Sequence, residues 1–221
     1  MRLMCEVSVI NNPCESVYTR RVSDPEREAS ERAIRALCEA GDHAAATTAA
    51  LRSYGVELLG FLRALAGEHD LAAEAFAELG EDIWKGLPKF RWESSLRSWL
   101  YALARNALAQ LRRDPRRRRE RNLPLSIAPE MAAVVRTVTR DSQRTEVKDG
   151  FRLLREQLDP EEHEILLLRL DRDMAWKDIA RILGGDGDLE VRAAALRKRF
   201  ERAKQRLKKL AVERGLIQRR D

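Results

Sequence analysis

The chain has 221 residues, of which 42 are Lys or Arg and 36 are Asp or Glu, so its net charge is +6. No apolar run approaches the roughly 20 residues that span a bilayer, and the three cysteines near one end lack the spacing of metal ligands. The abundance of Ala, Leu, Glu and Arg favours an all-α protein. These features argue against a membrane-bound, disulfide-built or zinc-held protein and predict a cytoplasmic one.

The charge is divided unevenly between the two halves of the chain. Residues 1–110 hold 13 basic and 16 acidic side chains, whereas residues 111–221 hold 29 basic and 20 acidic ones. Such asymmetry indicates that one half meets a polyanion. Solvated helix surfaces explain the charge equally well, so the spacing of residues has to decide.

The first half of the chain predicts four helices after a stretch, residues 1–22, that we expect to be disordered. Residues 23–26 (Ser-Asp-Pro-Glu) form a helix start, because a capping side chain precedes a proline whose missing N–H costs nothing there. Gly41 and Gly67 are the expected ends of the first two helices. The predicted helices cover residues 23–40, about 43–66, about 70–85 and about 95–113.

The third predicted helix carries acidic side chains four residues apart. They form one stripe, whereas Phe76, Leu79 and Ile83 lie on another side and should face the core. The stripe is either a solvated face or a surface that attracts a basic partner. Its members are Asp70, Glu74, Glu78 and Asp82.

Aromatic and basic residues are concentrated around the start of the fourth helix. Exposed rings beside arginines suit unstacked bases, which need a stacking surface and charge neutralisation. The alternative is that the rings belong to the core, which we favour for Trp99 on the apolar stripe. Phe90, Arg91 and Trp92 lie in the preceding loop, and the helix is expected to turn Arg97, Tyr101, Arg105 and Arg112 away from its buried stripe of Leu96, Trp99, Leu100, Leu103, Ala107 and Leu111.

Seven arginines lie within residues 112–121, and Pro115 ends the fourth helix there. We expect an Arg-rich linker over 114–144 and a second helical domain over 145–221. Its predicted helices run to about Gln157, from the cap Asp159, over about 175–183 and over about 190–213.

The last two predicted helices have the order of a helix–turn–helix, in which a short apolar helix precedes a longer basic one. The second helix must fit the major groove and present donors to guanine edges and phosphates. A solvated or partner-binding helix is the competing interpretation. The cations that surround its apolar seam and are the candidate DNA contacts are Arg192, Arg197, Lys198, Arg199 and Arg202.

Two separated blocks of sequence resemble bacterial RNA polymerase sigma factors of the extracytoplasmic-function (ECF) type. KFRWESSLRSWLYALARNALAQLRR (89–113) resembles their promoter-melting segment. LDPEEHEILLLR (158–169), DIA (178–180) and RAKQRL (202–207) resemble their C-terminal promoter domain. The resemblance covers about 50–113 and 150–212, and it implies one domain over 23–113 and another over 145–221.

The resemblance implies functions for each candidate site. The acidic stripe would dock on core RNA polymerase, and the second domain would read the −35 element as duplex. The −10 element would be captured as opened strand by Phe90, Arg91, Trp92, Arg97, Tyr101, Arg105 and Asn106, with Arg112 and Arg113 on its phosphates. The resemblance also leaves open an anti-sigma factor as a further partner.

Several positions depart from the family's pattern. The docking helix has Ala73-Glu74 where an acidic pair is usual, Ala77-Glu78 where a Gln-acid step is usual and Gly80 where an aromatic is usual. Gln110 replaces an aspartate. Ala175 replaces the serine that caps the short DNA-domain helix. The connection from Gly185 to Glu190 is longer than the usual tight turn, which affects the expected register of the base contacts.

Two other classes of function compete with the sigma-factor interpretation. A free-standing helix–turn–helix regulator, or an Arg-rich nucleic-acid-binding adaptor, would lack polymerase docking. An enzyme would need a nucleophile, a metal cluster or a phosphate loop, and the sequence has no GxGxxG, P-loop or paired histidines. We therefore expect no enzymatic activity, no cofactor and no metal.

Overall fold

A computed structural model describes residues 24–114 and 157–214, and within these ranges every regular element is helical. The all-α prediction is confirmed. The predicted N-terminal disorder, the linker with its arginine run and the helix before residue 157 lie outside the described residues. The α-helices are α1 (Asp24–Glu39), α2 (His43–Ala66), α3 (His69–Gly86), α4 (Leu96–Arg113), α5 (Pro160–Leu166), α6 (Trp176–Leu183) and α7 (Leu189–Glu213), with a 3-10 turn at Leu87–Lys89 and a π turn at Leu167–Asp171.

Local capping explains where the helices of the first half begin and end. The Asp42 carboxylate accepts a hydrogen bond from the Ala45 N–H at 2.9 Å, which satisfies an amide that has no partner within α2. Gly67 ends α2 with φ at +74°, a conformation that costs glycine little. Ser95 Oγ accepts a hydrogen bond from the Ser98 N–H at 3.1 Å. Of the two serines that could cap α4 by sequence, Ser94 and Ser95, the cap is therefore Ser95.

Substituting Ser95 with alanine should lower the free energy of unfolding by about 1 kcal/mol, since the Ser98 amide then loses its acceptor. Chemical denaturation monitored by circular dichroism measures this loss. Ser94→Ala is the matched control, because the Ser94 hydroxyl caps no helix amide in the structure and donates one long hydrogen bond, to the Ser95 carbonyl at 3.4 Å. Equal losses in the two variants would contradict the assignment of the cap.

The described chain divides into two compact units. The first contains residues 24–91 and 107–114, in which α1 packs on α2 and α2 packs on α3. The predicted core residues Phe76, Leu79 and Ile83 are fully buried there. Burial of such side chains contributes about 1.5–3 kcal/mol each, which holds the three helices together.

The second unit contains residues 92–106 and 157–214. Its helices α5 and α6 both pack on α7, whose buried residues recur at intervals of seven, three, four and four. Leu196 and Leu210 of α7 pack against this core and are half-buried. The core cluster consists of Leu158, Ile165, Leu166, Phe200, Ala203, Leu207 and Ala211. The proposed domains at 23–113 and 145–221 remain a prediction.

No helix among the described residues combines the length and the apolar composition needed to cross a membrane.

Candidate nucleic-acid interface

The loop before α4 holds one residue in an unusual backbone conformation. Trp92 has φ at +57°, in the left-handed region that bulky side chains seldom adopt. Its side chain is half-buried, as is that of Phe90, while Arg91 is exposed. Such strain persists only where the surroundings enforce it, and it is concentrated at functional sites.

We expected Tyr101 on an open face of α4, but the structure shows that it is fully buried. The Arg97 guanidinium lies over its ring, 5.5 Å from the centroid, and donates a hydrogen bond to the Arg172 carbonyl at 2.8 Å. The apolar stripe therefore differs from the predicted one. Trp99 and Leu103 are only half-buried, and the buried positions of α4 are Leu96, Ser98, Leu100, Tyr101, Ala104, Ala107, Leu108 and Leu111.

Arg105 forms an ion pair within the second unit. Its Nε lies 2.8 Å from Glu164 Oε1, and the glutamate side chain is only 10% exposed. Asn106, the next residue, is exposed. Of the predicted strand-facing residues on α4, Arg97 and Arg105 therefore have protein acceptors and Asn106 faces solvent.

The two arginines at the end of α4 are exposed and contact nearby carbonyls. Arg112 donates to the Leu65 carbonyl at 2.5 Å, near the C-terminus of α2. Arg113 donates to the Ala109 carbonyl at 3.2 Å, within its own helix. Cations near a helix C-terminus are favourable because carbonyls accumulate there.

The acidic stripe of α3 is not uniformly exposed, as a solvated face would be. Asp70 is exposed, Glu74 and Asp82 are half-buried, and Glu78 is only 6% exposed. Spacing of four placed these carboxylates on one side of the helix, but α3 is packed on more than one side.

The pair α6 and α7 is joined by residues 184–188. The Asp188 carboxylate accepts from the amides of Glu190 at 2.9 Å and Val191 at 3.0 Å, which fixes the first turn of α7. Ala175 occupies the cap of α6 and offers no side-chain acceptor, in agreement with the sequence. The connection includes Gly185 with φ at +110°, which L side chains rarely adopt.

Two of the five cations proposed for α7 turn inward instead of toward solvent. The Arg192 guanidinium donates to the carbonyls of Ala180 and Gly184 at the end of α6. Arg199 Nη1 lies 2.6 Å from Glu161 Oε2 on α5. Both side chains thus tie α7 to its neighbours. The sequence did not indicate these acceptors, because helical spacing does not show which groups lie behind a helix.

The other three cations remain on the outer surface of α7. Arg197 is exposed, although its guanidinium lies over the Trp176 ring at 5.8 Å from the centroid. Lys198 and Arg202 are also exposed. Val191, which the sequence analysis did not single out, is exposed on the same helix. No group of His, Cys, Asp or Glu among residues 24–114 and 157–214 could hold a metal ion.

Comparisons with known proteins found similarity to a family and to a solved structure. Residues 50–119 match the family described as Sigma-70 region 2. The structure is similar to the sigma factor RpoE in a co-crystal structure with the anti-sigma factor NepR from Bartonella quintana, with 20% sequence identity and a TM-score of 0.51. That similarity covers 76% of this chain and 96% of the RpoE chain. No curated protein matches the sequence.

Proposed function

We propose that the chain is a sigma factor that directs core RNA polymerase to promoters in the cytoplasm, because residues 50–119 match the family described as Sigma-70 region 2. Its fold is similar to that of the sigma factor RpoE, and the resemblance of its sequence is to the ECF type. The match at residues 50–119 carries this conclusion. We propose that the chain supplies promoter recognition and DNA melting and no chemistry of its own. The free-standing regulator or adaptor is not favoured, since residues 50–119 match Sigma-70 region 2.

Docking on core polymerase is tested by capture of purified core enzyme on the immobilised full-length chain. We propose that Asp70, Glu74 and Asp82 steer the encounter with a basic surface, because complementary charge raises association rates. Glu78 contributes less to this attraction, since it is buried. Failure to capture core enzyme at low salt would overturn the proposal.

The −10 strand is proposed to meet Phe90, Arg91 and Trp92 in the loop, with Asn106 on α4. Arg97 and Arg105 contact phosphates only after leaving the Arg172 carbonyl and the Glu164 carboxylate. Single-stranded DNA thus competes with protein acceptors for both guanidinium groups. The competition makes strand affinity sensitive to residues in the second half of the chain.

Glu164→Gln should tighten binding of a single-stranded −10 oligonucleotide by up to about tenfold, since a hydrogen bond to a charged partner contributes about 1.5 kcal/mol or more. The substitution keeps the shape of the side chain but releases Arg105 from its opposite charge. Fluorescence anisotropy with the full-length chain measures the change in Kd.

Glu162→Gln is the matched control on the same helix, where Glu162 pairs with Arg206 at 3.4 Å. It should leave strand affinity unchanged. Equal tightening in both variants would mean that only net charge matters, which contradicts a specific competition at Arg105.

Duplex −35 DNA is proposed to contact the outer cations of α7. Arg202→Ala should weaken duplex binding and reduce the slope of log K against log salt by about 1, as expected for loss of one phosphate contact. Lys198→Ala should act in the same way. The measurement is a titration of full-length chain and duplex at several salt concentrations.

Arg199→Ala is the matched control for Arg202→Ala. It also removes an arginine side chain from α7, but one that pairs with Glu161 on α5. We expect a lower free energy of unfolding and an unchanged salt slope. A reduced slope for Arg199→Ala with an unchanged one for Arg202→Ala would reverse the proposed orientation of the helix.

An anti-sigma factor is a proposed further partner. The similar RpoE chain was crystallised with the anti-sigma factor NepR, which supports this proposal. Binding of such a protein would be expected to compete with core polymerase in the capture assay.

A further inference from the structure

We propose that Val191 is a specificity-determining residue that contacts the methyl group of a thymine in the −35 duplex. The inference rests on the proposed function, since it requires α7 to enter the major groove. It goes beyond the cation contacts, because it assigns base selectivity to an apolar side chain near the start of α7.

The exposure of Val191 is the first observation. The residue is 68% exposed, and the other large apolar residue exposed in the described ranges, Val56, is 43% exposed. An isolated exposed valine needs no special explanation. This one, however, lies in the first turn of a helix whose outer face is basic.

The packing of α7 fixes the direction in which Val191 points. Ala193, Phe200 and Ala203 are buried against the unit, and Arg192 is anchored to the carbonyls at the end of α6. The Asp188 cap holds the Val191 amide at 3.0 Å. The first turn is therefore held from two sides, and Val191 lies on the outer surface.

The outer surface changes in character along the helix. Val191, Ala195, Lys198 and Arg202 recur at intervals of four, three and four residues, so they lie on one face, and all four are exposed. The apolar pair comes first and the cations follow. Glu190 beside this pair forms an ion pair with Lys177, which compensates its negative charge.

This order suits the major groove. Residues near the start of a recognition helix contact base edges, whereas phosphates flank the groove. The thymine methyl is the apolar group that a base pair presents there, and apolar side chains contact it. The short Ala195 side chain lets the helix approach closely, and Lys198 and Arg202 reach the phosphates.

The test uses the full-length chain and the duplex protected in a footprint of polymerase holoenzyme, with each thymine replaced in turn by uracil. Uracil lacks the methyl group but keeps the hydrogen-bonding edges. At the contacted thymine, wild-type affinity should fall about fourfold, the effect of losing about 0.8 kcal/mol for one apolar carbon group. Val191→Ala should lose a similar factor on thymine DNA and none on uracil DNA at that position.

Val56→Ala makes the same chemical change on α2 and should keep the wild-type response to uracil. If Val191→Ala responds to every uracil as wild type does, the inference is wrong, and reduced polymerase binding in that variant would assign Val191 to a protein contact. If wild type binds no duplex at any salt concentration, the proposed −35 function fails as well, so the two failures are distinguishable.

Discussion

Replacing Trp92 with alanine should lower the yield of open promoter complex by about two orders of magnitude, because extruding a base costs a few kcal/mol that the ring no longer offsets. Binding of −35 duplex should be unchanged. Permanganate reactivity of unpaired thymines measures promoter opening, and fluorescence anisotropy with duplex DNA measures binding of the −35 element. Equal loss of both would assign Trp92 to folding.

Trp92→Gly separates the ring from the backbone conformation. With φ at +57°, position 92 costs a bulky residue strain that glycine avoids. The glycine variant should therefore be as defective in promoter opening as the alanine variant. It should, however, unfold at a higher denaturant concentration than the alanine variant. An opening defect that follows stability across the two variants would contradict a direct function of the ring.

Replacing Phe200 with alanine should destabilise the second unit by about 3–5 kcal/mol, the usual cost of removing a buried phenyl ring. Phe200 is 5% exposed and meets the Trp176 ring edge-on at 5.2 Å between centroids. A loss of this size is a large fraction of the stability of a typical domain. We expect −35 duplex binding to fail near 37 °C in consequence.

Capture of core polymerase should survive in Phe200→Ala, since the proposed docking residues lie on α3 in the first unit, whereas Phe200 lies in the second. Phe200→Leu keeps most of the volume and should show a smaller loss of stability and of duplex binding. Loss of core polymerase in step with duplex binding would show that the two functions do not reside in separate parts of the chain.

The sequence predicted helix bounds well wherever local chemistry decides them. The bounds predicted for α2 are those observed, and Gly67 ends this helix because glycine adopts positive φ readily. Pro160 opens α5 as expected, whereas the Asp159 carboxylate makes no cap bond and lies 3.7 Å from Arg206 instead. The Asp159 carboxylate thus forms an ion pair with a residue distant in sequence, in place of the expected capping hydrogen bond.

Side-chain direction was predicted less well, because it depends on what lies opposite each helix. Helical spacing placed Tyr101 away from the apolar stripe, yet the ring is buried. The same spacing counted Arg192 among outward cations, although carbonyls of α6 accept its hydrogen bonds. Glu164, the acceptor for Arg105, lies 59 residues away in sequence, so no local pattern indicates the pair.

Run-off transcription tests the central claim most directly. Core RNA polymerase, the full-length chain and a template carrying the region upstream of its own coding sequence should yield a transcript with one defined start, and core enzyme alone should not. The Trp92→Gly variant should bind core enzyme but yield about two orders of magnitude less transcript. If the wild-type chain neither binds core polymerase nor starts a transcript, the sigma-factor function is contradicted.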